Sequence, residues 1–486
     1  MPQVTGLPQS FYQSILEGRI MESQEIISGL VARAHIAQAQ VADYTQEQID
    51  RVCTAIAWEV YNDENIAKLA ELAVSETGMG SVADKITKHK NKVLGVIDDV
   101  RRYKSVGLIE EDTARGIKKY AKPVGVIGAL TPITNPTATP SSNAVSIVKG
   151  RNAVIFAPHP SAKRSTGLAI SFLRAGLKKA GAPEDPIQVI EEPSLELTGE
   201  LMHQVDLIVA TGGGPMVKAA YSSGKPAFGV GPGNSCQIIA EDADLLDAAK
   251  KIKTSKTFDN ATSCSSENSI VIQSGVYDAM LAALVAEGGY LVSGAERQQL
   301  KDTMWKLNKK GALVINGEIV ARSAKKIAEL AGITVPENTV MLLVEGEMPL
   351  EEDLFAEEKL SPVLTLWRYG AFGEGVEILK RLTDNSGRGH SCGIHTFNRD
   401  YIDYLGEHMQ TSRVIVRQPQ AAANGGAFFN GMPSTVTLGC GTWGNNITTE
   451  NITYKHFINV TWVSEPIAPH RPTDEEVFGA YLKSLR

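Results

Sequence analysis

From Arg151 onward apolar strands alternate with amphipathic helices, and that order admits few folds. AVIFAP reads as a strand, SAKRSTGLAISFLRAGLKKA as a helix with one apolar face, and IQVIEEP as a second strand. A short helix near 195–204 leads to strand DLIVA, then to the turn TGGG and a helix from Pro215. A βαβαβ order closes as a parallel sheet with crossover helices, a nucleotide-binding type of half-domain. Gly212, Gly213 and Gly214 follow a strand and open a helix, where backbone N–H groups can meet a pyrophosphate. The turn is not GxGxxG, and three glycines equally satisfy tight geometry, so the spacing leaves both readings open.

The flanks have a different texture. From about residue 20 to 104, EIISGLVARAHIAQAQVA and EQIDRVCTAIAWEVYNDENIAKLAELAVSE carry apolar residues at three- and four-residue spacings and predict helices. Thr45 with Glu47 and Gln48 is a start signal, and ETGMGS breaks the pattern. IKKYAKPVGVIGAL is rich in β-branched and small residues and predicts extended chain. In TPITNPTATPSSN the prolines at 132, 136 and 140 predict a loop without regular structure. Strand SIVIQ, helices to about 330 and strand PVLTLWRYG form a second alternation and a second α/β unit.

A chain of 486 residues exceeds one ordinary core, so two or three packed domains are expected. Its net charge of −7 argues against nucleic-acid or anionic-membrane partners. No apolar run reaches the roughly 18–20 residues that cross a bilayer. MPQVTGLPQSFYQSIL lacks the basic start and apolar core of a signal peptide. The five cysteines are scattered, odd in number and never in a CxxC pair, which fits a reducing cytoplasm and opposes a disulfide framework. With no HExxH, carboxylate cluster or spaced Cys/His set, no metal is expected.

Cys264 lies in SKTFDNATSCSSENSIVI, a polar loop between a helix ending near Lys256 and a strand beginning near Ser269. A thiol there is a better nucleophile candidate than one inside an apolar run, though an isolated loop cysteine is as readily incidental.

FDNATSC, with TPITNPT upstream and EKLSPV downstream, resembles the aldehyde dehydrogenase superfamily. More narrowly the chain is similar to its coenzyme A-acylating branch, including the aldehyde dehydrogenase half of bifunctional aldehyde–alcohol dehydrogenases, from about residue 30 to 465. YTQEQID, ETGMGSVADK, GRNAVIFAPHPSAK, FGVGPGN, GHSCGIHT and STVTLGCGTWGNNITTEN carry the likeness in order. The tail SRVIVRQPQAAANGGAFFNGMPS resembles that of acylating sulfoacetaldehyde dehydrogenases.

The resemblance implies roles. Cys264 matches the nucleophile and Asn135 the amide that, with backbone N–H, holds the oxyanion. Glu358 in EEKLSP matches the acid on the nicotinamide ribose; Thr131 and the Gly212–Gly213–Gly214 turn fall in the cofactor region. Hydrolytic relatives carry a glutamate base where this chain has Gly229 or Val230, so the acyl-enzyme is expected to wait for coenzyme A rather than water. Where those relatives bind the adenine ribose, this chain has Ala157-Pro158-His159-Pro160. With Lys163 and Arg164 near, NAD or NADP is expected with a lean to NADP; a solvated helix start is the plain reading of those two charges. His390 in GHSCGIHT either assists coenzyme A or proton movement or is structural. Arg417 is the expected partner of a substrate sulfonate, or else forms a structural ion pair.

The implied architecture is α/β, aldehyde dehydrogenase-like: a Rossmann-like cofactor domain (1–110 and 127–230) and a catalytic α/β domain (231–445). A small β oligomerisation extension (111–126 and 446–466) and a tail (467–486) complete it. The expected enzyme is a cytoplasmic homodimer or homotetramer that oxidises a short aldehyde, sulfoacetaldehyde before acetaldehyde, with NAD(P) and coenzyme A.

Overall fold

The computed structural model describes residues 9–309 and 311–485; the reading of the N-terminal stretch as free of a leader falls partly on residues 1–8, outside them. Four helices come first: Gln9–Val41, Gln46–Tyr61, Asp63–Thr77 and Val82–Val100. Thr45 closes a capping box with Gln48, satisfying two of the N–H groups that a helix start leaves unpaired. The long apolar-periodic stretch after it divides at Asn62, whose side chain accepts from the Asn65 N–H at 3.0 Å and so starts a new helix.

The strands then build two parallel sheets. One has five strands in the spatial order Ile187–Val189, Ala153–Pro158, Val126–Thr131, Leu207–Ala210, Ala227–Gly229. Its first strand in sequence, Val126–Thr131, lies in the middle, so the chain winds outward both ways from it. The crevice beyond the carboxyl ends of Val126–Thr131 and Leu207–Ala210 is therefore a topological switch point, where open α/β sheets bind ligands. The other sheet has seven parallel strands, with Glu267–Gln273 at its centre between Val363–Tyr369 and Ser235–Ile239. A third, antiparallel sheet joins Gly107–Asp112, Ile117–Pro123 and Ile458–Ser464.

Two expectations are corrected. The proline-rich stretch is not all loop, because helix Ala138–Lys149 begins within it. Pro140 is the third residue of that helix, where a missing N–H removes no intrahelical bond. The region read as helices to about 330 contains a hairpin, Trp305–Leu307 against Leu313–Ile315.

The first helices pack closely on the five-stranded sheet. Helix Lys163–Lys179 meets Gln46–Tyr61 at Gly176, where a Cβ would stand 2.7 Å from the Ile56 Cα. Gly176→Ala should therefore destabilise the protein by about 1–3 kcal/mol through overpacking of rigid backbone. Gly167→Ala, on the same helix with no atom within 4 Å of a new Cβ, should be neutral or stabilise it by up to about 1 kcal/mol. Denaturant midpoints of the two variants test this; equal midpoints would remove the close crossing as a constraint.

Candidate active site

A cavity of about 1220 Å³ opens between the two parallel sheets. The switch-point crevice forms one wall, with Thr131, Thr211 and the 212–214 turn; the loop before strand Glu267–Gln273 forms another, with Thr262 and Cys264. Helix Val82–Val100 and residues 419–438 close the rest.

The cysteine loop has an unusual shape with an identifiable cause. Asp259, Asn260 and Ala261 are all left-handed, with φ of 51°, 51° and 59°, which side chains adopt only when the surroundings impose it. Here the Asp259 carboxylate is fully buried and takes Lys88 at 2.6 Å, Lys85 at 3.2 Å and the Ser81 N–H at 3.0 Å. Burial opposes its ionisation, but Lys88 and Lys85 outweigh that and hold the carboxyl below its usual range. Gly80 is also fixed by this contact, since a Cβ there would overlap the carboxylate at 1.8 Å.

Cys264 follows this loop and is half-buried, whereas the other four cysteines are buried; all five are free thiols. Its Sγ lies 3.2 Å from His390 Nε2. The other ring nitrogen, Nδ1, is 2.8 Å from Ser391 Oγ, which meets Ser235 Oγ at 2.6 Å. Burial, and secondarily Glu358, pushes the thiol up to about 12. Burial, with Arg413 beside it, pushes His390 down to about 3. The resting pair is thus a neutral thiol donating toward a neutral imidazole, with the imidazole N–H directed to Ser391.

Asn135 shares the cavity wall with Cys264. Lys88 donates to its Oδ1 at 2.9 Å, so the amide oxygen is occupied by a cation. The NH₂ keeps only a long contact to Thr134 Oγ1 at 3.4 Å. It is a donor held ready for an oxygen that gains charge. Of the two positions where a hydrolytic base is missing, Val230 lines the cavity; Gly229 has no room for a side chain, since a Cβ would meet Val217 Cγ1 at 2.5 Å.

Thr131, His159, Gly212, Gly213, Gly214 and Glu358 all line the same cavity. Thr131 Oγ1 and Glu358 Oε1 are buried without a protein partner, as groups reserved for a polar ligand would be. Burial, partly offset by Lys256, raises Glu358 to about 8. A Cβ at Gly213 or Gly214 would meet no protein atom nearer than 3.9 Å, so these glycines leave space rather than relieve packing. The residues fit a dinucleotide lying across the switch point.

Three expected residues stand elsewhere. Lys163 does not line the cavity and pairs with Glu192. Arg164 is outside it too, and Glu76 already accepts from the Arg164 and Ser165 N–H groups at 2.9 and 2.7 Å, filling that helix start. Arg417, expected at the substrate, is also outside: its guanidinium donates to the Thr396 carbonyl and lies over the Phe397 ring, 4.5 Å from the centroid. Arg417 is engaged by these contacts outside the cavity, so the sulfonate assignment of Arg417 is withdrawn. What the sequence reading missed is the basic face of helix Val82–Val100. Lys85, Lys88 and Lys92 recur at three- and four-residue spacing, the signal of one helix face, and Lys88 and Lys92 line the cavity. Among the described residues, no group of three or more His, Cys, Asp or Glu is placed to hold a metal, and no helix is long and apolar enough to cross a membrane.

Residues 18–455 match the aldehyde dehydrogenase family. A sulfoacetaldehyde dehydrogenase of Acholeplasma sp is 64% identical over 461 residues, covering 95% of both chains. An acylating sulfoacetaldehyde dehydrogenase of Bilophila wadsworthia is 58% identical over 457 residues, covering 94% of this chain and 98% of the relative. The crystal structure of an acetylating aldehyde dehydrogenase from Geobacillus thermoglucosidasius superposes with a TM-score of 0.89 at 34% identity, covering 93% of this chain and 99% of that one.

A thiol raised to about 12 stays protonated through neutral pH. Alkylation of Cys264 by iodoacetamide, followed by peptide mass spectrometry, should therefore be slow at pH 7 and rise steadily above pH 8. A rate already at its plateau at pH 7 would mean a resting thiolate, and the neutral pair would be wrong.

Proposed function

The chain belongs to the aldehyde dehydrogenase family, and on that premise we propose that it converts sulfoacetaldehyde and coenzyme A to the acyl-coenzyme A, with a nicotinamide cofactor and a thioester on Cys264. The observation that carries this reading is the contact at 3.2 Å between Cys264 and the buried His390, with the thiol lining one cavity together with the Asn135 amide and with Val230, where a hydrolytic base would stand. The two similar sulfoacetaldehyde dehydrogenases supply the aldehyde.

The residues divide the work as follows. As the aldehyde carbon reaches Sγ, the thiol proton passes to His390 Nε2 and the S–C bond forms. The carbonyl oxygen takes up the electron pair and is held by Asn135 Nδ2, whose own oxygen is fixed by Lys88. A bound nicotinamide would supply the hydride acceptor, and loss of that hydride from the former aldehyde carbon would leave the acyl group as a thioester on Cys264. Glu358 Oε1 and Thr131 Oγ1 would hold its ribose side, and the 212–214 turn its phosphates. Once that proton has left by way of the cavity, the buried His390 takes the next one from the coenzyme A thiol. That sulfur adds to the acyl carbon, Asn135 again holds the oxygen, and collapse breaks the bond to Cys264, whose sulfur recovers the proton from His390 Nε2. The low basicity of His390 keeps the resting pair neutral, so proton transfer is coupled to the arrival of a carbonyl.

The cofactor unit comprises residues 1–110 and 127–230 and the catalytic unit 231–445, a division supported by the separate five- and seven-stranded sheets. NADP is favoured over NAD because His159, not an acid, stands at that wall. Residues 111–126 and 446–466 form the assembly surface of a homodimer or homotetramer. Edge strand Ile458–Ser464 exposes Val460, Trp462 and Val463, an apolar edge that calls for a partner. Free cysteines suit the cytoplasm.

Cys264→Ala should abolish cofactor reduction with the fold intact by circular dichroism, whereas Cys236→Ala and Cys392→Ala should keep substantial turnover. Wild-type enzyme given aldehyde and cofactor without coenzyme A should stop near one equivalent per site in a rapid-mixing trace. Sustained reduction with free acid accumulating would show that water deacylates the enzyme, and the acylating reading would fall.

A further inference from the structure

A sulfonate two bonds from the reacting carbonyl carbon comes to rest beside Cys264 and Asn135, so its partner must be on the cavity wall near them. Three cations line the cavity: Lys88, Lys92 and Arg102. Lys88 has its three donors engaged, by Asp259 at 2.6 Å, Thr262 Oγ1 at 2.6 Å and Asn135 Oδ1 at 2.9 Å. Arg102 is exposed and, just past the end of helix Val82–Val100, is already paired with Asp98.

Lys92 differs from both. Its Nζ donates to the Gly425 carbonyl at 2.8 Å and weakly to the Gly426 carbonyl at 3.5 Å, and among the described residues it makes no ion pair. An ammonium has three donors, so at least one remains for the cavity. It is half-buried one helical turn beyond Lys88, close enough to Cys264 for the two to interact electrostatically. Burial, and then Lys88, pushes it down to about 8, which still leaves it mostly protonated at pH 7. A desolvated positive charge without a counter-ion is costly, and an anionic ligand offsets that cost. The loop that holds it is built for the contact: a Cβ at Gly425 would lie 2.6 Å from Nζ. Gly425 and Gly426 belong to the AAANGGAFFNGMPS stretch, so that motif acquires a physical role.

We propose that Lys92, steadied by the Gly425 and Gly426 carbonyls, receives the sulfonate of the substrate and sets the preference for anionic short aldehydes over acetaldehyde. This rests on the sulfoacetaldehyde reading above and names the group that enforces it. Because Lys92 touches the non-reacting end, its loss acts on binding more than on the chemical step.

The test is a steady-state comparison of sulfoacetaldehyde and acetaldehyde, with coenzyme A saturating, for wild type, Lys92→Met, Lys92→Gln and Lys92→Arg. The kcat/KM ratio of sulfoacetaldehyde to acetaldehyde should fall roughly ten- to hundredfold in Lys92→Met and Lys92→Gln, mainly through KM, and recover largely in Lys92→Arg. Ethanesulfonate, an unreactive sulfonate, should inhibit acetaldehyde oxidation by wild type and do so at least about tenfold more weakly in Lys92→Gln. Lys92→Gln keeps a donor for the Gly425 carbonyl, so it separates charge from folding. A wild type that prefers sulfoacetaldehyde and variants that retain the preference would overturn the Lys92 pairing alone. A wild type that prefers acetaldehyde would overturn the substrate reading and the pairing with it.

Discussion

The site depends first on one buried carboxylate. Asp259 reaches from the cysteine loop to helix Val82–Val100, where Lys85 and Lys88 meet it. Removing one partner of such a pair typically costs about 3–5 kcal/mol, because the other charge stays buried without compensation. That interaction is large enough to hold three consecutive residues in left-handed backbone. The same Lys88 nitrogen holds the Asn135 oxygen, so a single ion pair bears on both the path of the cysteine loop and the aim of the Asn135 amide. Cys264 and Asn135 come from segments far apart in sequence, and Lys88 is the atom-level link between them.

Burial, more than any neighbouring charge, sets the protonation of the thiol and its imidazole neighbour. Cys264 and His390 are both pushed toward their neutral forms by burial. Neutral partners cost nothing to keep dry, whereas a thiolate–imidazolium pair there would need solvation that the walls do not give. Charge appears when a carbonyl is present to take it and Asn135 is placed to share it. Val230 gives the cavity wall an apolar surface. A second thiol requires less activation than water, so on the proposed reading a wall without an ionised base there leaves thiol transfer open.

Much of the frame was legible in one sequence. The strand–helix alternation after Arg151 specified a parallel sheet because period-two and period-3.6 patterns are local properties of the chain. The capping box at Thr45 and the loop position of Cys264 were equally local. Ordered motifs then gathered Cys264, Asn135 and Glu358 as one set by resemblance, and all three line one cavity. Pro140 misled because a proline is read as a breaker until its position within a helix is known.

The tertiary structure decided what the site's charges touch. Arg417, Lys163 and Arg164 have the right chemistry for anions, but packing directs them to Thr396, to Glu192 and away from the cavity. Lys88 and Lys92 look in sequence like a solvated helix face, and become functional only because that face is laid against the cysteine loop and the Gly425 turn. The gap between Cys264 and His390 in sequence is 126 residues, and the contact is 3.2 Å. The sequence determined which elements form, since propensity and periodicity act over a few residues. Side-chain direction across the cavity was decided by the fold alone, because it depends on how two sheets, the helix Val82–Val100 and loops far apart in sequence are packed together.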